Sequence, residues 1–193
     1  MYPAPFEFHR AASVEDAIGL LQTYGDDAKL IAGGHSLLPV MKLRLAAPEH
    51  LIDISRIESL RGVTDAGDHL VIGALTTHQA IARDELIRAH LPVLGETADL
   101  VGDRQVRNRG TIGGALGHAD AAADYPAAIL ALEAELVATG PNGTRTIPAG
   151  EFFLDLLTTA LEPNEVLTEI RIPKVPGRTG ANYQKLANQA SGY

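Results

Sequence analysis

Apolar residues recur at helical spacing after Ser13: Val14, Ala17, Ile18 and Leu21 share one face, and Gly25 ends the run. Ser13, with Asp16 three positions later, supplies the start signal. Residues 6–9 and 29–32 flank this helix as short apolar stretches, so the N-terminal part reads as a βαβ unit whose second strand is closed by Gly33 and Gly34. Residues 51–54 predict a further strand. From Ile57 the texture changes. Residues 69–74 predict a strand, while 77–83 and 85–100 predict helices, the second broken at Pro92. A helix over 127–134 leads into a strand at 135–139, a turn at Pro141, Asn142 and Gly143, and a returning strand at 144–148. Residues 166–172 alternate apolar and polar until Pro173, as a half-buried strand does. The whole pattern predicts an α/β (α+β) chain in two subdomains, 1–56 and 57–176, followed by a short segment at 177–193.

Composition narrows the function classes. A chain of 193 residues that is 46% hydrophobic can bury a full core. Its formal charge of -8, with 16 basic residues spread thinly, repels nucleic-acid backbones and anionic membrane surfaces alike, so no nucleic-acid partner is expected. Cysteine is absent, which excludes disulfides, thiolate metal sites, iron–sulfur ligation and cysteine nucleophiles in this chain. The N-terminal residues lack a signal-peptide layout, and no apolar run reaches the ~20 residues that span a bilayer. The expectation is a soluble, cytoplasmic protein without a membrane span.

Candidate chemistry concentrates in two glycine turns. Ala32, Gly33, Gly34, His35 and Ser36 follow the apolar pair Leu30 and Ile31, at the carboxyl end of an expected strand. Gly110, Thr111, Ile112, Gly113, Gly114 and Ala115 repeat that composition. An acidic protein holds a doubly charged pyrophosphate by concentrating positive character locally, and converging backbone N–H dipoles do this where glycine removes the Cβ. Either turn alone suits a tight bend or a packing contact equally well. Neither fits G-x-G-x-x-G or G-x-x-x-x-G-K-S/T, so Rossmann and P-loop readings have no support.

Taken in order, residues 32–44, 106–114 and 118–127 resemble the FAD-binding medium subunit of molybdenum hydroxylases, the family of xanthine dehydrogenase and aerobic carbon monoxide dehydrogenase. The resemblance covers essentially the whole chain. It implies the two-subdomain FAD-binding fold of the vanillyl-alcohol oxidase (PCMH) type, with FAD held non-covalently between the subdomains. It also implies a C-terminal domain of roughly a hundred residues, a typical small-domain size, with no counterpart up to Tyr193. By the same resemblance, Ala32, Gly33, Gly34, His35 and Ser36 contact the pyrophosphate region together with Thr111, Gly113, Gly114 and Ala115. Leu30 and Ile31 line the approach, Asp124 anchors polar parts of the cofactor, and Val101, Gly102 and Gly110 supply wall contacts. Leu167 is implied as an adenine-side or wall contact, Lys185 as a neighbour of the flavin, and Tyr193 as reaching the isoalloxazine face. The chain departs from the family pattern at Ala121, often Pro, and at Ala115, often Asn or Ser. Each change removes rigidity or a side-chain donor and leaves the backbone cradle.

Several side chains carry other readings. His35 suits a neutral turn residue or a donor to phosphate rather than a covalent flavin anchor. His118 with Asp120 and Asp124 has a loose metal-ligand look and reads as a hydrogen-bonding group. Asp124, just ahead of Tyr125 and Pro126, also suits a helix N-cap. Arg104, Arg107 and Arg109 form a basic knot that steers an anionic ligand, faces a partner or sits in a solvated loop. No Ser–His–acid set, paired carboxylates or zinc motif emerges, so the chemistry belongs to a cofactor and no catalytic side chain is predicted. The resemblance implies an oxidoreductase subunit that assembles with an iron–sulfur small subunit holding 2Fe–2S clusters and a large subunit holding the molybdenum cofactor. Its acceptor would be a quinone, NAD or oxygen. A stand-alone flavin reductase of the same fold and a non-enzymatic ligand-binding or assembly module are the alternative readings.

Overall fold

Local capping chemistry sets the first helix. In the computed structural model, which describes residues 2–174 and 177–187, Ser13 Oγ accepts from the Asp16 N–H, and the Asp16 carboxylate accepts from the Ala12 N–H. This opens α1 (Val14–Tyr24), whose face of Ala17, Ile18 and Leu21 is buried and which Gly25 stops at φ 55°. Strands β1 (Glu7–Arg10), β2 (Ala28–Ile31) and β3 (His50–Asp53), with α2 (Leu37–Lys42) between the last two, build a parallel sheet of order β1-β3-β2. The expected βαβ unit is therefore opened: β1 and β2 do not pair, and β3 lies between them. The central place of a parallel sheet is covered on both faces, and of the three strands only β3 is buried at successive positions, Leu51, Ile52 and Asp53.

The second sheet is antiparallel. It joins β4 (Val63–Asp65), β5 (His69–Gly73), β6 (Glu135–Gly140), β7 (Gly143–Pro148) and β10 (Val166–Pro173) in the order β4-β5-β10-β6-β7. A small hairpin of β8 (Phe153–Asp155) and β9 (Thr158–Thr159) stands beside it. The expected turn closes the β6–β7 hairpin, with Gly140 opposite Gly143. Helices α3 (His78–Arg83), α4 (Glu85–His90), α5 (Pro92–Asp99), α6 (Arg104–Arg107), α7 (Ile112–His118), α8 (Asp124–Ala131) and α9 (Ala149–Phe152) complete the chain. Pro92 starts α5 rather than kinking one long helix, and Asp84 caps α4 through the Leu86 and Ile87 N–H groups. Among the described residues, no helix is long and apolar enough to cross a membrane.

Two hydrophobic cores result. The larger packs Leu70, Ile72, Leu136, Ile170 and Ile172 of the antiparallel sheet against Leu94, Tyr125, Ile129 and Phe152. The smaller gathers Ala17, Ile18, Leu21, Ile52 and Ile54, and takes in Leu60, Leu75 and Val166 from later in the chain. β10 serves both. A register shift between Leu167 and Glu169 breaks the alternation expected over 166–172, so Val166 enters the smaller core while Leu167, Ile170 and Ile172 enter the larger. At the shift, buried Thr168 donates to the Val137 carbonyl at 3.1 Å and lies 3.2 Å from Thr139 Oγ1.

Phe152 is 0% exposed in the larger core. Phe152→Ala is expected to cost about 3–5 kcal/mol of folding stability, read as a lower urea midpoint at unchanged slope.

Candidate functional site

At the carboxyl end of β2 the chain bends through Gly33 and Gly34, the latter at φ 77°, a conformation that favours glycine. Here the first glycine turn meets the second. A Cβ placed on Gly33 would sit 2.8 Å from Gly110 Cα and overlap the Arg109 carbonyl. Only a bare α-carbon allows the two backbones this close. Between and around the turns lies a cleft of about 820 Å³, within the size range of small-molecule and cofactor sites. Leu30, Ile31, Ala32, Gly33, Gly34, His35 and Ser36 line one side. Gly110, Thr111, Gly113, Gly114 and Ala115 line another, and Val101, Gly102, Asp124 and Leu167 complete the wall. Lys185 is bonded to Asp124 and is not among the residues that line the cleft, and Tyr193 falls outside the described residues.

The two turns offer different chemistry, whereas their composition suggests two equal sets of donors. In the second turn the Ile112 N–H donates to the Thr76 carbonyl, Gly113 to Ala74, and Ala115 to Thr111, at 3.1, 2.8 and 3.0 Å. The Gly114 N–H donates to Thr111 Oγ1 at 3.2 Å, the cap of α7. These groups are engaged within the protein, so this turn supplies a wall of small side chains, with Gly114 open beside Ala115, rather than a cradle of donors. Gly113 is buried under Ala74, while Gly114 is exposed to the cleft. The first turn is the reverse. Among the described residues, the N–H groups of Gly33, Gly34, His35 and Ser36 meet no intrachain acceptor, and Ser36 Oγ makes no cap bond. Open backbone donors that could meet an anion are those of this turn.

Asp124 organises the opposite wall. It is the first residue of α8, and Ala123 holds the cap position without a side-chain bond, which replaces the N-cap reading. Its carboxylate faces the C-terminal segment instead: Oδ1 accepts from Tyr183 Oη at 2.6 Å and Oδ2 from Lys185 Nζ at 3.0 Å. Lys185 also donates to the Leu100 carbonyl at 3.1 Å. A carboxylate only 8% exposed requires such partners. Burial, the hydrogen bond to Asp124 and that group's charge push the Tyr183 phenol above its usual range.

His78 lies beneath the second turn, where a Cβ on Gly110 would come 2.5 Å from its Nε2. Its Nδ1 shares a hydrogen bond with buried Tyr125 Oη at 3.2 Å. Burial pushes the imidazole down to about 4, against the pull of Asp124, and the charges of His35 and Arg107 push the same way as burial. Neither His78 nor Tyr183 stands out in the sequence. His78 follows the capping Thr77 as an ordinary first-turn residue, and Tyr183 lies in an irregular stretch.

The remaining polar candidates have local duties. Asp120 accepts from the Ala122 N–H within its own loop at 2.9 Å. Arg107 turns inward and donates to the Val101 and Gly102 carbonyls at 3.3 and 3.0 Å, which braces the bend that lines the cleft. Arg104 and Arg109 are exposed.

Residues 4–175 match the family model described as the FAD binding domain in molybdopterin dehydrogenase. The chain belongs to this family. The carbon monoxide dehydrogenase medium chain of Hydrogenophaga pseudoflava is 53% identical over 186 residues, 96% of this chain and 65% of that one. The corresponding chain of Afipia carboxidovorans is 44% identical over 193 residues, 100% of this chain and 67% of that one. Thus the chain spans about two thirds of the length of these curated relatives. Among solved structures, carbon monoxide dehydrogenase from Hydrogenophaga pseudoflava lacking the Mo-pyranopterin moiety of the molybdenum cofactor superposes with a TM-score of 0.97. It is 52% identical and covers 100% of this chain and 67% of that chain. The mixed α/β fold of this FAD-binding family is therefore the fold of the chain.

The buried His78 gives this domain a testable acid sensitivity. Its folded value of about 4 lies below the ordinary 6.5, so between these pH values the unfolded chain binds the extra proton and stability falls as pH drops. The expected contribution is up to about 3 kcal/mol. Urea titrations at a series of pH values should show a shallower loss in His78→Gln than in the parent chain.

Proposed function

We propose that the cleft holds FAD non-covalently and that the chain is the flavin electron-transfer part of a molybdenum hydroxylase complex of the carbon monoxide dehydrogenase medium-chain type. The observation that carries this reading is the pairing of four unengaged N–H groups on the first turn with the glycine-rich wall of the second. In a chain with a formal charge of -8, this is a local positive environment suited to a pyrophosphate. The residues fit the cofactor. Gly33, Gly34, His35 and Ser36 would hold the pyrophosphate, Gly114 and Ala115 would admit it at backbone distance, and Leu30, Ile31, Val101 and Leu167 would give apolar walls. Asp124, fixed by Tyr183 and Lys185, would orient the polar end and anchor the C-terminal segment beside it.

When bound, FAD supplies two-electron acceptance with release singly or together. The chain's own task is to bind it, orient it and limit water. In the proposed assembly an iron–sulfur small subunit is the electron donor, a molybdenum large subunit oxidises the substrate and an external acceptor receives the electrons; that the relatives are medium chains, and that one solved complex is described by its molybdenum cofactor, supports this reading. The assembly is placed in the cytoplasm, as the sequence reading expects. The division into subdomains at 1–56 and 57–176 belongs to the same proposal. The separate cores support it, with Leu60, Leu75 and Val166 reaching back into the smaller one.

Purified protein supplied with FAD should show flavin absorption near one equivalent per chain. Gly114→Val puts a side chain on the cleft wall, where its Cβ would come 2.9 Å from Thr111 Oγ1, which must shift, and 3.9 Å from Ala32 Cβ. It should weaken FAD binding more than about tenfold, ~1.4 kcal/mol, with circular dichroism unchanged. A parent protein that takes up no FAD would refute the proposal.

A further inference from the structure

The N-terminal sheet brings together three side chains that the cleft does not use. In the parallel register Glu7 lies opposite His50, and His9 lies opposite Ile52. Side chains alternate along a strand, so Glu7 and His9 share a face, and His50 joins them from the neighbouring strand. His9 Nε2 stands 3.1 Å from His50 Nδ1. Glu7 Oε2 is 3.6 Å from that Nδ1 and 3.9 Å from the His9 nitrogen. Tyr24, the last residue of α1, stacks on both imidazoles, with ring centroids 3.9 Å from His50 and 4.7 Å from His9. The stack holds the two rings with their nitrogens facing each other.

The geometry points to a divalent transition-metal site at Glu7, His9 and His50, of the zinc class, that ties edge strand β1 to central strand β3. Two facing imidazole nitrogens share either one proton or one cation. With metal–nitrogen bonds of ~2.0–2.1 Å, the observed separation corresponds to a ligand–metal–ligand angle of roughly 100°, near tetrahedral. Glu7 is 74% exposed at its side chain and free to swing an oxygen into the third position, which leaves a fourth for water. Two imidazoles and one carboxylate suit zinc and its late first-row neighbours better than magnesium or calcium. Among the described residues, these three are the group whose potential ligand atoms gather within 4.8 Å.

The site lies at the other end of the sheet from the glycine turns, although Ala28, the register partner of His50, lines the cleft. Glu7 and His50 lie at the amino ends of their strands, whereas the first glycine turn follows the carboxyl end of β2. Its role is therefore structural. β1 pairs with β3 alone, and a metal bridging the two would hold the sheet edge.

The test uses untagged, FAD-supplied full chain titrated with zinc against a chromophoric chelator. One zinc per chain is expected, with a higher unfolding temperature at saturation. The double variant His9→Gln, His50→Gln should lose that equivalent and the temperature shift while flavin content stays the same. Glu7→Gln, which keeps both imidazoles and an exposed polar side chain, should weaken zinc binding about tenfold or more. Absence of stoichiometric binding to the parent chain overturns the proposal. So does unchanged affinity in Glu7→Gln, or in the double variant where its circular dichroism matches the parent.

Discussion

The approach of the Gly33 α-carbon to the backbone of Arg109 and Gly110 is the contact on which the cleft depends. It joins the end of the parallel sheet to the helical segment above the antiparallel one, and any side chain at position 33 would drive these apart. The contact is continued downward by backbone alone. The His78 N–H donates to the Gly110 carbonyl at 3.1 Å, Ile112 to Thr76, and Gly113 to Ala74. A chain of main-chain bonds thus runs from the first turn, through the second, to the end of β5. Hydrogen-bonded backbone at the junction of two cores gives the cleft a fixed width, which a ligand with a rigid ring system and a charged centre requires.

Charge is distributed to the same end. The chain is acidic, and among the described residues lining the cleft the one lysine is Lys29, while the open backbone donors are the N–H groups of the first turn. Lys29 is exposed on the cleft wall, and two other cationic side chains nearby are engaged within the protein. Arg107 braces the Val101–Gly102 bend through their carbonyls, and Lys185 pairs with Asp124. His78 is kept neutral by burial. A buried carboxylate on the cleft wall carries a cost of desolvation, which the Tyr183 and Lys185 bonds to Asp124 offset while fastening the C-terminal segment.

β10 makes one folding unit of two cores. Its register shift puts Leu167 on the face of Ile170 and Ile172 and leaves Val166 on the other, and both Val166 and Leu167 line the cleft. The match of residues 4–175 to a family of FAD-binding domains accords with this economy, since the cleft lies where the two cores meet.

The sequence by itself determined the elements whose causes lie within a few residues. Ser13, Thr77 and Asp84 cap their helices, Pro92 starts one, Gly143 turns a hairpin, and Gly34 takes a positive φ. The two glycine turns were legible for the same reason, because a missing Cβ constrains local backbone wherever it occurs. Tertiary structure decided what depends on distant partners. Periodicity is silent on strand order, so β3 enters between β1 and β2 without a local signal. Composition makes the glycine turns look alike, yet the carbonyls of Ala74 and Thr76 engage one and leave the donors of the other open. Asp124 finds Tyr183 59 positions away, and His9 finds His50 41 positions away. Such pairings follow from register and packing, which are set by the burial of apolar faces across the whole chain rather than by the residues that meet.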